Sequence, residues 1–224
     1  MAKNKVLSAI DIGTTKVTAL MAQVRDEDDS RIHVIGVATT PSKGIRKGQI
    51  VNIDEAVSAV TESVEAAERL AGYNLARAWI SVGCSDISSQ NSHGVVAVSQ
   101  PHGEIKPDDV RRVLEAAQAV SLPGSAEIIH VIPRNFSVDN QEGVKDPVGM
   151  TGVRLEVDTH IVMGSTTTIK NLTKCISEVG CDIAGLVFSG LASGEATLTD
   201  TEKELGVILV DIGGGTTDIA IYTE

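Results

Sequence analysis

Aromatic side chains are scarce in this chain: one Trp, two Tyr and two Phe among 224 residues. A pocket that stacks sugars on aromatic faces has little to use here. The three cysteines, Cys84, Cys175 and Cys181, are odd in number and lack a C-x-x-C spacing. They signal neither a disulfide framework nor a zinc site and read as buried thiols. No apolar run approaches the ~20 residues of a membrane-spanning helix, and the opening MAKNKVLSAID has no apolar core followed by a small-residue cleavage site, so the expected location is the cytoplasm. Positive charge is short as well. Against 30 Asp and Glu stand 19 Lys and Arg, a formal net charge of −11, which argues against nucleic acid or anionic lipid as a partner of the whole surface and leaves room for a local basic patch. The five histidines, His33, His93, His102, His130 and His160, never pair at helical ligand spacing and are expected at ordinary positions rather than around a metal.

The 42% hydrophobic content is enough to bury the core of one or two compact units. Val6–Ile10, Lys16–Val24 and Arg31–Thr39 read as three strands, with Asp26–Ser30 a solvated turn between the last two. From Asp54 to Ala71, Val57, Val60, Val64, Ala67 and Leu70 recur at helical steps; Asn52 and Glu55 are spaced as a capping box, and Gly72 stops the helix. Lys43, Arg46 and Lys47 lie before it in a Gly-punctuated loop and receive no role. Trp79–Gly83 is expected to be a short buried strand. At Cys84 the composition turns polar, in SDISSQNSHG, which suggests an inserted α/β module of about eighty residues. Within it the spacing predicts strands at Val95–Val98, Ile128–Ile132, Arg134–Val138 and Val153–Met163, and a helix from Pro107 whose stripe reaches Val120 before Pro123-Gly124. A helix capped by Ser165 and stopped by Gly180, a strand Ile183–Phe188 and a helical crossover Gly190–Leu198 then lead to a strand starting at Val207–Val210.

One phrase occurs twice. VLSAIDIGTTKVTAL at Val6–Leu20 and VILVDIGGGTTDIAIY at Val207–Tyr222 each end an apolar strand in aspartate, follow it with glycine and two threonines, and enter another strand. A Walker loop or a Rossmann fingerprint would open a helix instead. Glycines in a hairpin turn can aim backbone N–H groups and threonine hydroxyls at an anion, because no Cβ keeps a phosphate at a distance. An aspartate beside those phosphates needs a divalent cation between them, which makes Asp11 and Asp211 the expected carboxylates of a Mg²⁺ held through water. Facing each other across a cleft, the two turns could clamp a di- or triphosphate.

Asp11–Val17 and Asp211–Asp218 resemble the phosphate-1 and phosphate-2 loops of the actin, sugar-kinase and heat-shock-chaperone ATPase superfamily. Lys16, the run Trp79–Gly83 and the run Glu202–Gly206 narrow the resemblance to the FtsA family of bacterial cell-division proteins. It implies an α/β, actin-like (ribonuclease H-like) ATPase fold with an inserted small α/β subdomain. Residues 1–83 would begin subdomain 1A, 84–164 form the insertion 1C, 165–188 return to 1A, and 189–224 start 2A, the second lobe being cut short. The resemblance also implies phosphate contacts from Gly13, Thr14, Thr15 and Lys16 on one side and from Gly213, Gly214, Gly215, Thr216 and Thr217 on the other. Glu195 falls where the superfamily carries an acidic residue near the attacking water or the metal, or is a surface carboxylate. The family's members imply ATP and Mg²⁺ as cofactors, at most slow hydrolysis, self-association into actin-like polymers, and divisome partners for 1C. They also imply FtsZ as a partner through 2B and the inner face of the membrane through a terminal helix; neither of those parts is expected on this chain. A small-molecule kinase, a chaperone-type ATPase, or an interaction module with vestigial loops are the alternatives.

Overall fold

The computed structural model describes residues 5–24, 32–99, 103–119 and 124–223. The expected turn at Asp26–Ser30, and Val120 and Pro123 at the end of the expected helix, lie outside them. Two compact units divide the chain: Met1–Asp86 with Thr167–Glu224, and Ile87–Thr166.

The first unit is built on a five-stranded sheet. Strands β1 (Lys5–Ile12), β2 (Lys16–Val24) and β3 (Ile32–Pro41) form an antiparallel meander, and β6 (Arg77–Val82) and β11 (Asp182–Phe188) add parallel strands in the order β11-β6-β1-β2-β3. Between β3 and β6 come a two-stranded hairpin, β4 (Ile45–Arg46) with β5 (Gln49–Ile50), and helix α1 (Ile53–Ala71). Alternation fixes the core: Ile10, Ile12, Val17, Ala19, Met21, Ala78, Ile80 and Val82 are buried, and α1 lays Ala56, Ala59, Val60, Val64 and Ala67 on them. Asn52 caps α1 by accepting the Glu55 N–H, and Gly72 ends it in the left-handed region at φ 71°. Buried among these apolar groups, Ser63 accepts the Ala19 N–H and donates to the Ala38 carbonyl, each at 3.0 Å, so its hydroxyl is satisfied by both β2 and β3.

Trp79 departs from the expected buried strand. β6 alternates, and while Ala78, Ile80 and Val82 point inward, Trp79 is 47% exposed. After β6 and the second unit the chain returns through α3 (Thr166–Glu178), which buries Ile169, Leu172, Cys175 and Ile176, and continues into β11. Helix α4 (Ser189–Thr197), a short α5 (Asp200–Leu205) and an antiparallel hairpin of β12 (Val207–Ile212) with β13 (Thr217–Tyr222) follow. All three cysteines are buried and free, and burial raises each thiol pKa, that of Cys175 to about 11.

The second unit is a four-stranded antiparallel sheet, β7 (Ser88–Ala97), β10 (Arg154–Ser165), β8 (Ala126–Val138) and β9 (Gln141–Val144) in that order, with helix α2 (Pro107–Gln118) on one face. Its core is Val98, Ile105, Val113, Ala117, Phe136, Val138, Val144, Leu155 and Val157. Two expectations change here. The polar stretch after Cys84 is largely strand, because β7 is an edge strand that pairs with β10 from Ser88 to Ala97 and leaves polar side chains to solvent. Ile128–Ile132 and Arg134–Val138 are one strand, with a register shift where Pro133, which has no N–H to give a ladder, stands opposite Thr159. At the start of α2, Asp109 is buried and accepts from the Lys106 N–H, the Ser99 N–H and hydroxyl, and Arg112; these bonds hold its carboxyl below the ordinary range.

Candidate functional site

The two repeated phrases form the same hairpin. In each, the glycine after Asp-Ile donates its N–H across the turn, Gly13 to the Lys16 carbonyl and Gly213 to the Thr216 carbonyl, both at 2.9 Å. Registers agree too: Ile12 pairs with Val17 and Asp11 with Thr18, as Ile212 pairs with Thr217 and Asp211 with Asp218. Position by position, therefore, Thr14 and Thr15 of the first turn correspond to Gly214 and Gly215 of the second, and Lys16 to Thr216. The extra glycines of the second phrase lengthen nothing. They replace the threonine pair at the tip.

That replacement lets the turns meet. A Cβ on Gly214 would collide with the Thr15 side chain, and one on Gly215 would come within 2.7 Å of Thr14 Oγ1. Both turns belong to the first unit: Thr14 and Thr15 meet Gly214 and Gly215 at this approach, Gly13, Gly213 and Thr216 belong to the same turns, and Lys16 and Thr217 open the strands that leave them.

Three carboxylates lie at the strand ends behind the turns. Asp11 accepts the hydroxyl proton of Ser81 on β6. From α4, Ser193 donates to Asp211 Oδ2 at 2.9 Å, and Ser189, four residues earlier and so on the same helical face, donates to Asp218 Oδ2 at 2.8 Å. The carboxyl pKa of Asp218 is raised, first by burial and then by the charges of Asp211 and Asp11, while the Ser189 bond opposes the shift. Asp218 and the three serines received no role from sequence. The signal for Asp218 was the last letter of the phrase DIGGGTTD and that for Ser189 and Ser193 the four-residue spacing in SGLAS, whereas Ser81 carried none. No three His, Cys, Asp or Glu side chains among the described residues form a group that could hold a metal by themselves. A divalent ion here would draw most of its oxygen shell from water and from a bound anion, as Mg²⁺ ordinarily does.

Glu195 stands elsewhere. Its carboxylate is 65% exposed and accepts from Lys203 Nζ at 2.8 Å. At two residues past Ser193 it lies roughly 200° around α4 from the face that holds the aspartates.

The SHS2 domain inserted in FtsA matches residues 84–163. Over 220 residues, 98% of its length, the chain is 43% identical to the cell division protein FtsA of Pseudomonas aeruginosa, covering 52% of that protein. With FtsA of Bacillus subtilis the identity is 42% over 99% of the chain and 50% of the relative, and with that of Escherichia coli it is 37% over 98% and 51%. The chain thus spans about half the length of the curated relatives it matches. Among solved structures, the PilM-PilN type IV pilus biogenesis complex superposes with a TM-score of 0.60 at 13% identity, over 96% of this chain and 57% of the other. The ethanolamine utilization protein EutJ of Carboxydothermus hydrogenoformans gives 0.50 at 15%, over 98% and 48%. These likenesses place the fold among the actin-like ATPases. Along nearly its whole length, therefore, the chain is homologous to the FtsA cell division proteins, and residues 84–163 match the domain inserted in them.

Proposed function

We propose that the facing turns clamp the polyphosphate of ATP and that the whole protein works in cell division as an actin-like scaffold. The observation that carries this reading is the approach of Gly214 and Gly215 to Thr15 and Thr14, two anion-ready turns meeting tip to tip. Gly13, Thr14, Thr15 and Lys16 would bind phosphate oxygens from one side, and Gly213, Gly214, Gly215, Thr216 and Thr217 from the other. Asp11 and Asp211 would hold Mg²⁺ through water, with Ser81 and Ser193 fixing their orientation. When bound, that ion offsets the repulsion between the carboxylates and the phosphates. Hydrolysis, where it occurs, is slow; Glu195 would have to leave Lys203 before it could orient a water.

A phosphate gripped by both turns ties their separation to occupancy, and contacts between subunits can follow that separation. On this reading the protein self-associates, residues 84–164 act as subdomain 1C toward other divisome proteins, and the family's remaining parts link the FtsZ ring to the inner face of the cell membrane. Among the described residues no helix is long and apolar enough to cross a membrane. Thr14→Ala with Thr216→Ala in the intact protein tests the clamp: calorimetry should show Mg-ATP affinity falling by about tenfold or more. Sedimentation with FtsZ, with and without Mg-ATP, tests the scaffold. Unchanged binding in the double variant removes the clamp, and pelleting that ignores Mg-ATP removes the switch.

A further inference from the structure

The basic loop that the sequence left without a role is built onto the first turn. Between β4 and β5 the chain reverses through Lys47 and Gly48, both at positive φ (50° and 70°), the signature of a tight two-residue hairpin turn. Gly48 donates its N–H to Thr14 Oγ1 at 3.0 Å, and Ser42, at the other end of the loop, donates its N–H to the Thr15 carbonyl at 3.0 Å. Residues 42–49 therefore form a strap bonded to both threonines that face the second turn. Its position is fixed: a Cβ on Gly48 would strike the Gly83 carbonyl, and Gln49 Nε2 donates to Asp86 at 2.5 Å. Ser42 Oγ is buried at this junction with no hydrogen-bond partner among the described residues, an unused donor beside the turn.

Three cations ride on the strap. Lys43, Arg46 and Lys47 are exposed, and none makes an ion pair among the described residues. Exposed cations are commonly just solvated, but here Lys47 and Arg46 stand one and two residues before Gly48, which bonds Thr14, and Lys43 stands one residue after Ser42, which bonds Thr15, in a chain of net charge −11 and beside a site that already carries Asp11, Asp211 and Asp218. A tri- or diphosphate entering that site meets three carboxylates, and a single divalent ion leaves much of the combined negative charge uncompensated.

We propose that the strap is a third wall of the anion site, in which Arg46 and Lys47 make binding depend on how many phosphates the ligand carries. This rests on the reading that the turns clamp a polyphosphate. Each added phosphate brings more negative charge within reach of the two cations, so they favour a triphosphate over a diphosphate. Thr14 joins the parts: its oxygen accepts from the strap while its proton stays free to donate to a phosphate.

The test is titration calorimetry of the intact protein with Mg-ATP, Mg-ADP and Mg-tripolyphosphate, comparing wild type with Arg46→Gln combined with Lys47→Asn. Asparagine tolerates positive φ and suits this turn, so the variant keeps the strap's shape while losing its charge. Arg69→Gln on α1 combined with Lys174→Gln on α3 removes the same two positive charges from other exposed surfaces and controls for net charge. The expected result is a loss of about tenfold for ATP and tripolyphosphate against about threefold for ADP, with the control unchanged. Equal losses for all three ligands, or none, overturn the proposal. If wild type binds no ligand, the clamp itself fails and the strap's role falls with it; wild-type binding with an unaltered ATP to ADP ratio in the variant rejects the strap alone. Arg46→Lys with Lys47→Arg should restore the wild-type ratio.

Discussion

Ser193 gives its hydroxyl proton to Asp211 across 2.9 Å, from the same face of α4 on which Ser189 bonds Asp218. The helix thus fixes both carboxylates of the second hairpin before any ion arrives. Ser193→Ala should leave the fold intact and raise the Mg²⁺ concentration needed for nucleotide binding by about tenfold, the usual scale for losing a partner of a metal-side carboxylate. A Mg²⁺ titration at fixed ATP reads this, and Ser193→Thr should restore most of it.

The meeting of the turns can be tested without any ligand. Gly214→Ala places a methyl against the Thr15 side chain and should destabilise the protein by about 1–3 kcal/mol. Thr15→Gly on its own should cost less, and the two together should recover much of the loss. Additive effects in thermal unfolding would mean that the turns do not touch.

Asp218 makes a prediction about pH. Its folded carboxyl lies above the ordinary 3.8, mainly through burial and then through Asp211 and Asp11. An acid raised on folding binds its proton more tightly in the native state, so it favours the native state at low pH, and that contribution is lost as pH climbs from 3.8 through the folded value. Asp218→Asn should raise the melting temperature at neutral pH and flatten its fall across that range. Added Mg²⁺ should narrow the difference from wild type.

His93, in the second unit, has the same sign in a higher pH range, but through its charged form. Its ring bonds Asp158 at 2.8 Å and Glu156 at 3.0 Å, both on the neighbouring strand β10, and these acceptors raise its pKa above the ordinary 6.5. The cationic form ties β7 to β10, a contribution fully present below pH 6.5 and lost as pH rises through the folded value. His93 is half exposed, so the effect is small, under about 1 kcal/mol. NMR titration of the imidazole should show the raised pKa, and Asp158→Asn should lower it.

Ser63 offers a check on the core. Removing its hydroxyl leaves the Ala19 N–H without that acceptor inside the sheet, so Ser63→Ala should cost about 1–3 kcal/mol in denaturant unfolding although serine is the poorer helix former.

Periodicity and caps announced α1, the β1–β2–β3 meander and the helix of the second unit, because the burial of an apolar stripe and the satisfaction of helix ends are local properties. Pairing partners were harder to read. The polar run Ser88–Gly94 read only as a change of composition before a strand at Val95, since nothing local says that a strand will border solvent on an edge, and only the ten-residue match with β10 makes it part of one. The twin phrases, too, were visible in the letters, and so were Asp11 and Asp211. Aligned by letters, threonine matches threonine; in space Thr14 and Thr15 match Gly214 and Gly215, because a hairpin's register is set by the pairing of its strands.

The sequence by itself determined that two glycine–threonine hairpin turns exist and which strands carry them, since glycine, threonine and a preceding apolar strand dictate that conformation locally. Tertiary structure alone decided that the turns touch, that Ser81, Ser189 and Ser193 hold the aspartates, that Lys203 takes Glu195, and that the basic strap is bonded to Thr14. The reason is that these contacts join separate elements, up to two hundred positions apart in the case of the turns, and they come into being only when those elements pack together.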